Sequence, residues 1–400
     1  MNGRHEADPG MIYLDHAATA HPRHPGVPEA MAAAIEIAGS VGRGSHGGAR
    51  GATAIVGSCR ERLADLFGVS DPSRMVLFPS STLALSTILA DLGARSPAES
   101  VIWIGPLEHN AVWRPAVRAF GEERVRLLPA GPSGRIDLEG LEALDPGSAA
   151  GVVLQHASNV NGVIQPIAEV GAWAARAGLP LVVDGAQAAG LVPTSLERIP
   201  ALAAYTMAGH KYLGGGPGVG VCWLAEGFEP SPLWIGGNGI DSDQARIPER
   251  APGRYESGTP NLPGIAGLER ALAHFDAHPV ADRFAHLNAV RREWRAALEA
   301  IPGLELVGET GEEEARSPVL AVRIPGLDPT EVAGVLDARA GVRCRSGLHC
   351  APLAHRHFDT LAGGGTLRIA PGEETSPEER RRVVALLAEL AAGCARRAAR

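Results

Sequence analysis

The sequence predicts an α/β protein with a mostly parallel sheet, followed by a smaller α+β domain. Between residues 75 and 184, short apolar runs alternate with stretches of helical periodicity, which is typical of repeated strand–helix–strand units. Beyond about residue 262, longer helical patterns surround isolated short strands. The length of 400 residues is sufficient for a large core and about two domains.

Composition excludes several classes of protein. Apolar residues make up 45% and charged residues 20% of the chain, which indicates a globular protein. The net charge of −8 provides no electrostatic footprint for nucleic acid or for an anionic membrane. The start lacks an apolar signal core, and the five cysteines are odd in number and fit no disulfide framework or zinc spacing. We therefore expect a cytoplasmic, reduced protein without nucleic-acid or membrane partners.

Periodicity predicts the elements in chain order. The N-terminal part contains a strand at 11–15, helices at 28–38 and 52–67, and a glycine-rich loop at 42–48. Buried strands follow at 75–78, 101–104, 125–127, 152–154 and 179–183. The C-terminal part is predicted to contain strands at 319–323 and 342–344, and helices at 264–277, 280–300, 330–339 and from Ser376 onwards.

Polar residues follow several of the predicted strands. They are the hydroxyl cluster Ser80–Thr82, His109, Asn159 and Asp184. Each alone is more commonly a helix cap or a turn residue. In parallel sheets, however, ligands bind beyond the carboxyl ends of the strands. The shared placement therefore predicts a ligand site at this edge, with the hydroxyl cluster at a helix N-terminus suited to phosphate.

Lys211 is the only lysine among 37 cationic side chains, and it lies in a glycine-rich loop. Guanidinium groups cannot lose a proton near neutral pH, so this lysine is a candidate for imine formation with an aldehyde cofactor. The alternative is a remaining surface lysine. Asp184 precedes it by 27 residues (211 − 184), and an aspartate there could hold a pyridinium nitrogen. The pair favours the chemical role.

Two further residues are candidates for chemistry near the C-terminus. Cys350 follows Arg345 and His349, and cationic and imidazole neighbours would lower the pKa of its thiol, while Gly347 indicates a mobile loop. Arg368 is either a clamp for a substrate carboxylate or a charge at the edge of a strand. The remaining cysteines are expected to be buried fillers: Cys59, Cys222, Cys344 and Cys394.

Seven short motifs, taken in order, resemble the class V aminotransferase family of fold type I pyridoxal-phosphate enzymes. The nearest likeness is to SUF-type cysteine desulfurases and selenocysteine lyases, from about residue 11 to 390. The motifs are Tyr13–Ala18, Glu108–Asn110, Ser158–Asn159, Asp184–Gln187, Gly209–Lys211, Glu256–Asn261 and Arg345–Cys350. The resemblance implies a large domain (28–262) with a seven-stranded, mostly parallel sheet. It also implies a small α+β domain (1–27 and 263–400) that carries Cys350 and Arg368.

The resemblance also implies a role for each site residue. Lys211 would bind the cofactor's aldehyde and later move the substrate's Cα proton. Catalysis would also use His109 and Cys350, and the substrate would contact Arg368, His16 and Ala17. The pyridoxal phosphate would be bound by Ser81, Thr82, His109, Asn159, Asp184, Gln187, His210, Lys211 and, from the second subunit of a homodimer, Thr259.

The implied activity is a cysteine desulfurase that takes sulfur from L-cysteine as a persulfide on Cys350, releases L-alanine and passes the sulfur to an acceptor protein. Other reactions on the same scaffold are selenocysteine lysis, another C–S lysis, epimerisation or transamination. A non-catalytic homologue is a further alternative. Cys350 favours sulfur transfer, because transaminases need no nucleophile there.

The chain departs from the family pattern at four places. Ala208 stands where a phosphate-binding serine or threonine is usual, and Leu83 where many relatives have glutamate. His16 replaces a more usual asparagine or serine, and the segment 370–375 lacks the usual Tyr-Asn-Thr pattern. The last two departures concern the substrate rather than the cofactor.

Overall fold

The computed structural model describes residues 10–42, 44–239, 243–310 and 316–398. Its helices are α1 (Val27–Ile35), α2 (Gly47–Phe67), α3 (Ser81–Arg95), α4 (Asn110–Phe120), α5 (Leu138–Glu142), α6 (Ile167–Arg176), α7 (Leu262–Leu272), α8 (Val280–Glu299), α9 (Pro329–Ala340), α10 (Pro352–His357) and α11 (Pro377–Ala398). Its strands are β1 (Ile12–Tyr13), β2 (Met75–Phe78), β3 (Val101–Ile104), β4 (Val125–Leu127), β5 (Ala149–Gln155), β6 (Leu181–Asp184), β7 (Leu202–Ala208), β8 (Gly220–Leu224), β9 (Glu305–Leu306), β10 (Leu320–Arg323), β11 (Val342–Arg343), β12 (Arg345–Gly347) and β13 (Thr366–Ile369).

The central sheet has seven strands in the order β2-β8-β7-β6-β5-β3-β4. All neighbouring pairs are parallel except those of β8, which runs antiparallel to β2 and β7. The prediction of a mostly parallel seven-stranded sheet is therefore confirmed. Gln155 pairs with Asp184, and Asp184 with Thr206, so these three strands end together at one edge.

Helices cover both faces of this sheet, which explains why its strands are apolar on both sides. Helices α3 and α4 pack on one face, where Leu85 and Val112 are fully buried. Helices α2, α6 and α7 contribute to the core of the other face, with Leu63, Val170 and Leu268. No helix within the described residues is both long and apolar enough to cross a membrane.

A smaller antiparallel sheet, with the strand order β12-β13-β10-β9, is formed by the C-terminal part of the chain. Helices α8, α9 and α11 cover it and bury Trp294, Leu336 and Leu387. Strand β1 pairs with β11, which joins the N-terminal segment to this part. The smaller α+β unit is thus confirmed, while its boundaries at residues 28 and 262 remain a prediction.

Some elements differ from the prediction. Helix α2 begins at Gly47, inside the predicted loop, because the His46 imidazole accepts a hydrogen bond from Ala49 N at 3.4 Å. The step from Asp184 to Lys211 has room for one helix and one strand; it contains a 3₁₀ turn at Leu196–Arg198 instead of a helix, followed by β7, which the apolar periodicity did not locate. Strand β7 is alanine-rich, and its burial between two neighbouring strands outweighs its modest strand propensity.

Candidate active site

A cavity of about 280 Å³ lies at the edge of the central sheet where β5, β6 and β7 end. The structure brings most of the predicted site residues to its walls: Ala17, Ser81, Thr82, His109, Asn159, Asp184, Gln187, His210, Lys211 and Arg368. His16, Thr259 and Cys350 are not among its lining residues. The strand ends therefore converge on one ligand-sized space.

Lys211 follows β7 in a tight turn, in which Gly214 N donates to the Lys211 carbonyl at 2.8 Å. Burial lowers the pKa of Lys211 to about 8, Asp184 opposes this shift, and Arg368 and Arg345 favour it. A lysine of this kind is partly neutral near physiological pH. It can therefore act as a nucleophile towards an aldehyde or as a base.

Asp184 ends β6 and is 5% exposed. Burial raises the pKa of Asp184, while a 3.0 Å hydrogen bond from Ala186 N and the charge of Lys211 lower it. A carboxyl group in this environment is stabilised as its anion by a cation placed beside it. The position therefore suits a pyridinium nitrogen, as the sequence predicts.

His109 is the N-cap of α4, and its Nδ1 accepts a hydrogen bond from Ala111 N at 3.0 Å. Burial lowers the pKa of His109 to about 4, and the positive charges of Lys211, Arg345 and Arg368 add to the shift. The imidazole is therefore neutral, and the hydrogen bond assigns its proton to Nε2. A flat neutral ring on the cavity wall suits stacking on an aromatic ligand.

Asn159 and Gln187 each have one committed and one unpartnered polar atom. Asn159 Nδ2 donates to the His349 carbonyl at 2.7 Å, and Gln187 Nε2 donates to the Ala17 carbonyl at 2.8 Å. Their side-chain oxygens are buried and have no partner within the described residues. Two buried acceptors facing one cavity fit a ligand that carries a hydroxyl donor.

The hydroxyl cluster lies at the N-terminus of α3, where free N–H groups and the helix dipole favour an anion. Ser81 Oγ donates to Thr206 Oγ1 at 2.9 Å, and Thr82 is exposed. Gly220 permits this arrangement, because a Cβ there would lie 2.3 Å from the Ser81 nitrogen. Thr206 was not predicted. Its signal is a hydroxyl residue within an apolar strand.

His210 and Ala208 form the wall next to the hydroxyl cluster. His210 Nδ1 lies 3.1 Å from Thr19 Oγ1, and burial lowers the pKa of His210 to about 4. Arg23 also donates to the His210 carbonyl at 2.7 Å. Because Ala208 has no hydroxyl, the groups available to bind a phosphate here are the neutral His210 imidazole and the hydroxyl cluster.

Arg368 lies on β13, an interior strand of the smaller sheet, and is 1% exposed. This excludes the alternative of a surface charge. Its Nη2 pairs with the Asp15 carboxylate, Nη1 donates to the Asn159 carbonyl at 3.1 Å, and Nε is buried with no partner in the part of the chain that the structure describes. Arg345 lies directly across on β12 and also lines the cavity. Asp15 was missed as a site residue, although it lies only two residues after the end of β1.

Two predicted residues lie elsewhere. His16 packs against Gly372 and, edge to face at 4.9 Å, against the Tyr13 ring, so its substrate role remains a prediction. Thr259 is exposed and lines a second cavity of about 490 Å³ together with Trp234. Its contribution across a dimer interface also remains a prediction.

Cys350 lies in the loop between β12 and α10, and its thiol is exposed. The backbone has φ values of 50° at His349 and 56° at Cys350, which is unusual for residues with side chains. The Cys350 carbonyl accepts from Asn110 N at 2.7 Å, and Gly365 allows a close approach, since a Cβ there would lie 2.2 Å from the Gly347 oxygen. The loop is therefore tethered rather than free.

The imidazole of His349 is directed to Thr366, with Nε2 3.1 Å from its carbonyl oxygen. Burial lowers the pKa of His349 to about 2, and Arg368 adds to this, so the ring carries no positive charge. Among the other cysteines, Cys59 and Cys222 are buried as predicted, whereas Cys344 and Cys394 are only half-buried. Partial burial still raises the pKa of Cys344 to about 12. Cys350 is thus the exposed thiol beside the cavity.

Comparisons with known proteins agree with this geometry. The family model described as "Aminotransferase class-V" matches residues 12–379. The chain is 30% identical to the "Probable cysteine desulfurase" of Chlamydia muridarum over 92% of both chains, and 30% identical to the "Cysteine desulfurase" of Enterobacter sp., covering 85% of this chain and 84% of the relative.

Among solved structures, the apo cysteine desulfurase of Thermococcus onnurineus NA1 superposes with a TM-score of 0.86 at 27% identity, over 96% of this chain and 95% of that one. The predicted fold type I architecture is thereby confirmed. With a family match over nearly its whole length, the chain belongs to the class V aminotransferase family.

Proposed function

We propose that the protein is a pyridoxal-phosphate-dependent cysteine desulfurase, which takes sulfur from L-cysteine as a persulfide on Cys350 and releases L-alanine. The observation that carries the proposal is the exposed Cys350 thiol on a tethered loop, next to the cavity that contains Lys211, Asp184 and Arg368. The relatives described as cysteine desulfurases support it.

The cavity residues fit pyridoxal phosphate. Asp184 would hold the pyridine nitrogen, the neutral His109 ring would stack on the pyridine face, and the side-chain amides of Asn159 and Gln187 would hydrogen-bond the ring oxygen. Phosphate would be bound by Ser81, Thr82 and His210 at the N-terminus of α3, and the aldehyde by Lys211. When bound, this cofactor withdraws electrons from the substrate's α-carbon.

Arg368 and Lys211 would bind and deprotonate the substrate. Arg368 has a buried Nε–H that has no partner among the described residues and would donate to a carboxylate, and Asp15 and the Asn159 carbonyl orient its guanidinium. Lys211 is well suited to remove the α-proton, because its pKa of about 8 lies close to neutral pH. The charges of Arg368 and Arg345 help to keep the amine unprotonated.

Cys350 would accept the sulfur. Its thiolate forms a bond to the substrate sulfur, the substrate's Cβ–S bond breaks, and the electron pair of that bond goes to carbon, which takes up a proton and leaves as part of alanine. The thiolate's sulfur thereby becomes a persulfide. The loop exposes this group, so a protein acceptor can reach it.

The same proposal includes a cytoplasmic homodimer in which Thr259 of one subunit reaches the phosphate of the other. Thr259 does not line the cavity of its own chain, and it is exposed beside the second cavity. It also includes the division into a large domain (28–262) and a small domain (1–27 and 263–400).

The test is an assay of the cofactor-loaded enzyme with L-cysteine, with and without a thiol reductant. We expect alanine in both cases at early times, sulfide only with reductant, and one added sulfur atom on the Cys350 peptide by mass spectrometry. Cys350→Ala should abolish sulfide and persulfide but keep the visible absorbance of the cofactor, whereas Cys394→Ala should behave as wild type. Sulfide formation by Cys350→Ala would contradict the proposal. So would a wild-type enzyme that turns over L-selenocysteine or L-alanine but not L-cysteine.

A further inference from the structure

Arg283, in the first turn of α8, connects three distant segments of the chain. Its side chain is 9% exposed. Nη1 donates to the carbonyl oxygens of Gly190, at 2.7 Å, and Tyr212, and Nε pairs with the Glu373 carboxylate. One buried guanidinium thus binds two loop carbonyls and an acid from three separate parts of the sequence.

Each of these segments carries a residue of the candidate site. Tyr212 directly follows Lys211, Gly190 belongs to the turn that follows Asp184, and Glu373 closely follows Arg368. The first two segments are in direct contact, since a Cβ on Gly190 would lie 2.8 Å from the Tyr212 carbonyl oxygen. Arg283 therefore bonds to both turns at the place where they meet.

The surroundings of Arg283 favour a fixed guanidinium. The guanidinium carbon, Cζ, lies 5.9 Å from the centroid of the Tyr212 ring and 5.8 Å from the centroid of the Phe275 ring. Burial raises the pKa of Glu373, but the charge and the hydrogen bond of Arg283 outweigh it, so the net shift is downwards and the carboxylate is ionised. The planar guanidinium contacts carbonyls, a carboxylate and aromatic rings in fixed directions. It can therefore hold the loops in one arrangement, whereas the flexible ammonium group of a lysine could not.

We propose that Arg283 is a positioning residue that holds the Lys211 turn against the Asp184 turn and, through Glu373, links both to the Arg368 segment. The link to substrate binding rests on the proposed function. The link between the two turns is independent of the proposed function, because it affects only the position and surroundings of the Lys211 amine.

The unique lysine makes this testable in the full-length chain without cofactor. A reagent that modifies neutral amines reports on Lys211 alone once the N-terminal peptide is set aside by mass spectrometry. The rate of modification against pH should have its midpoint near 8 in the wild type, the pKa of Lys211. In Arg283→Met the turn relaxes and the amine becomes better hydrated, so the midpoint should rise by about one pH unit.

The matched control is Arg381→Met, which removes an exposed arginine paired with Glu378 and should leave the midpoint unchanged. Glu373→Gln retains both carbonyl hydrogen bonds, so it should also leave the midpoint unchanged. In the holoenzyme, however, it should raise KM for L-cysteine several-fold, and Arg283→Met should raise KM about tenfold. Urea unfolding of each variant establishes that it is folded.

A midpoint in Arg283→Met equal to that of the wild type would overturn the proposal. If that variant does not fold, Arg283→Gln is held to the same criterion. If the wild type makes no alanine from L-cysteine while Arg283→Met still shifts the midpoint, the proposed function fails and the positioning role stands. If the wild type is active and the midpoint does not move, the positioning role fails alone.

Discussion

The two regions to which we assign the chemistry, the Asp184–Lys211 edge and the Cys350 loop, are built in opposite ways. Asp184 ends a strand that is buried on both faces, and the register of β6 with β7 sets its position relative to Lys211. Cys350 is exposed, and its loop is held by hydrogen bonds from Asn110 and Asn159 to two successive backbone carbonyls. Both tethers come from the central-sheet part of the chain, not from the part that carries the loop.

This difference separates two chemical requirements. A lysine and an aspartate that act on a cofactor need burial, because burial shifts their pKa values and fixes their geometry. A thiol that hands sulfur to another molecule needs exposure, and a few hydrogen bonds can hold it without enclosing it. The following predictions test whether the two regions act separately.

The largest effect is expected for Lys211→Ala. In the proposed mechanism the cofactor would then have no covalent attachment and the substrate no base, so alanine formation should fall by about 10³-fold or more. Single-turnover assays of alanine, together with the visible spectrum, measure both losses. Cys350→Ala is the contrast, since it should lose sulfur transfer while keeping the spectrum. A Lys211→Ala enzyme that retains wild-type turnover would show that the buried edge is not the reactive one.

A smaller effect is expected for Asp184→Asn, which removes the anion at the end of β6 but keeps its size and its hydrogen bond from Ala186. Loss of the charge opposite the ring nitrogen should lower kcat by about 10²-fold. The matched control is Asp145→Asn, an exposed turn residue that caps Gly147 N at 2.9 Å and should leave kcat unchanged. Equal kcat values in the two variants would remove Asp184 from the mechanism.

Acid should destabilise the buried edge through His156, whose Nδ1 lies 2.9 Å from the Tyr205 hydroxyl. Burial lowers the pKa of His156 from 6.5 to about 4, so the unfolded chain binds a proton more readily than the folded chain between these values. Its contribution to stability is therefore complete above pH 6.5 and is lost as pH falls towards 4.

Between pH 7 and pH 5 this one group should lower the free energy of unfolding by about 2 kcal/mol. Urea unfolding at both pH values, compared between the wild type and His156→Gln, isolates the contribution, because the variant lacks the titrating ring. An equal loss of stability in both proteins would place the acid sensitivity elsewhere.

The smallest effect is expected for Asn159→Ala, which removes the tether to the His349 carbonyl. Because Asn159 is also assigned to the cofactor ring oxygen, the rate is expressed per bound cofactor, which the visible absorbance measures. One lost hydrogen bond of this kind should slow persulfide formation on Cys350 by about tenfold, because the loop samples other positions. The matched control is Asn161→Ala, which removes a 2.9 Å hydrogen bond from a buried amide to the Ser133 carbonyl. If both variants form persulfide at the wild-type rate, the loop does not depend on its tether.

The sequence was sufficient for five of the seven strands of the central sheet, for its carboxyl edge and, together with the family resemblance, for ten of the residues that line the cavity. Alternating apolar runs predicted the strands, and a single lysine among 37 cationic residues identified Lys211. These signals are local, since strand periodicity and a residue's identity can be recognised within a few positions. The same locality explains the misplaced start of α2 and the missed strands β7 and β8, where a capping contact and burial outweighed composition.

Only the tertiary structure decided which side chains those residues meet. Asp15 pairs with Arg368 across 353 positions, Arg283 reaches Gly190 across 93, and Asn159 holds the His349 carbonyl across 190. The tertiary structure also decided the orientation of the His349 ring, which is directed to Thr366. Burial keeps this ring neutral, although the sequence predicted that it would help to activate the neighbouring Cys350 thiol. No periodicity encodes such contacts, because they depend on how sheets and helices pack after the chain has folded.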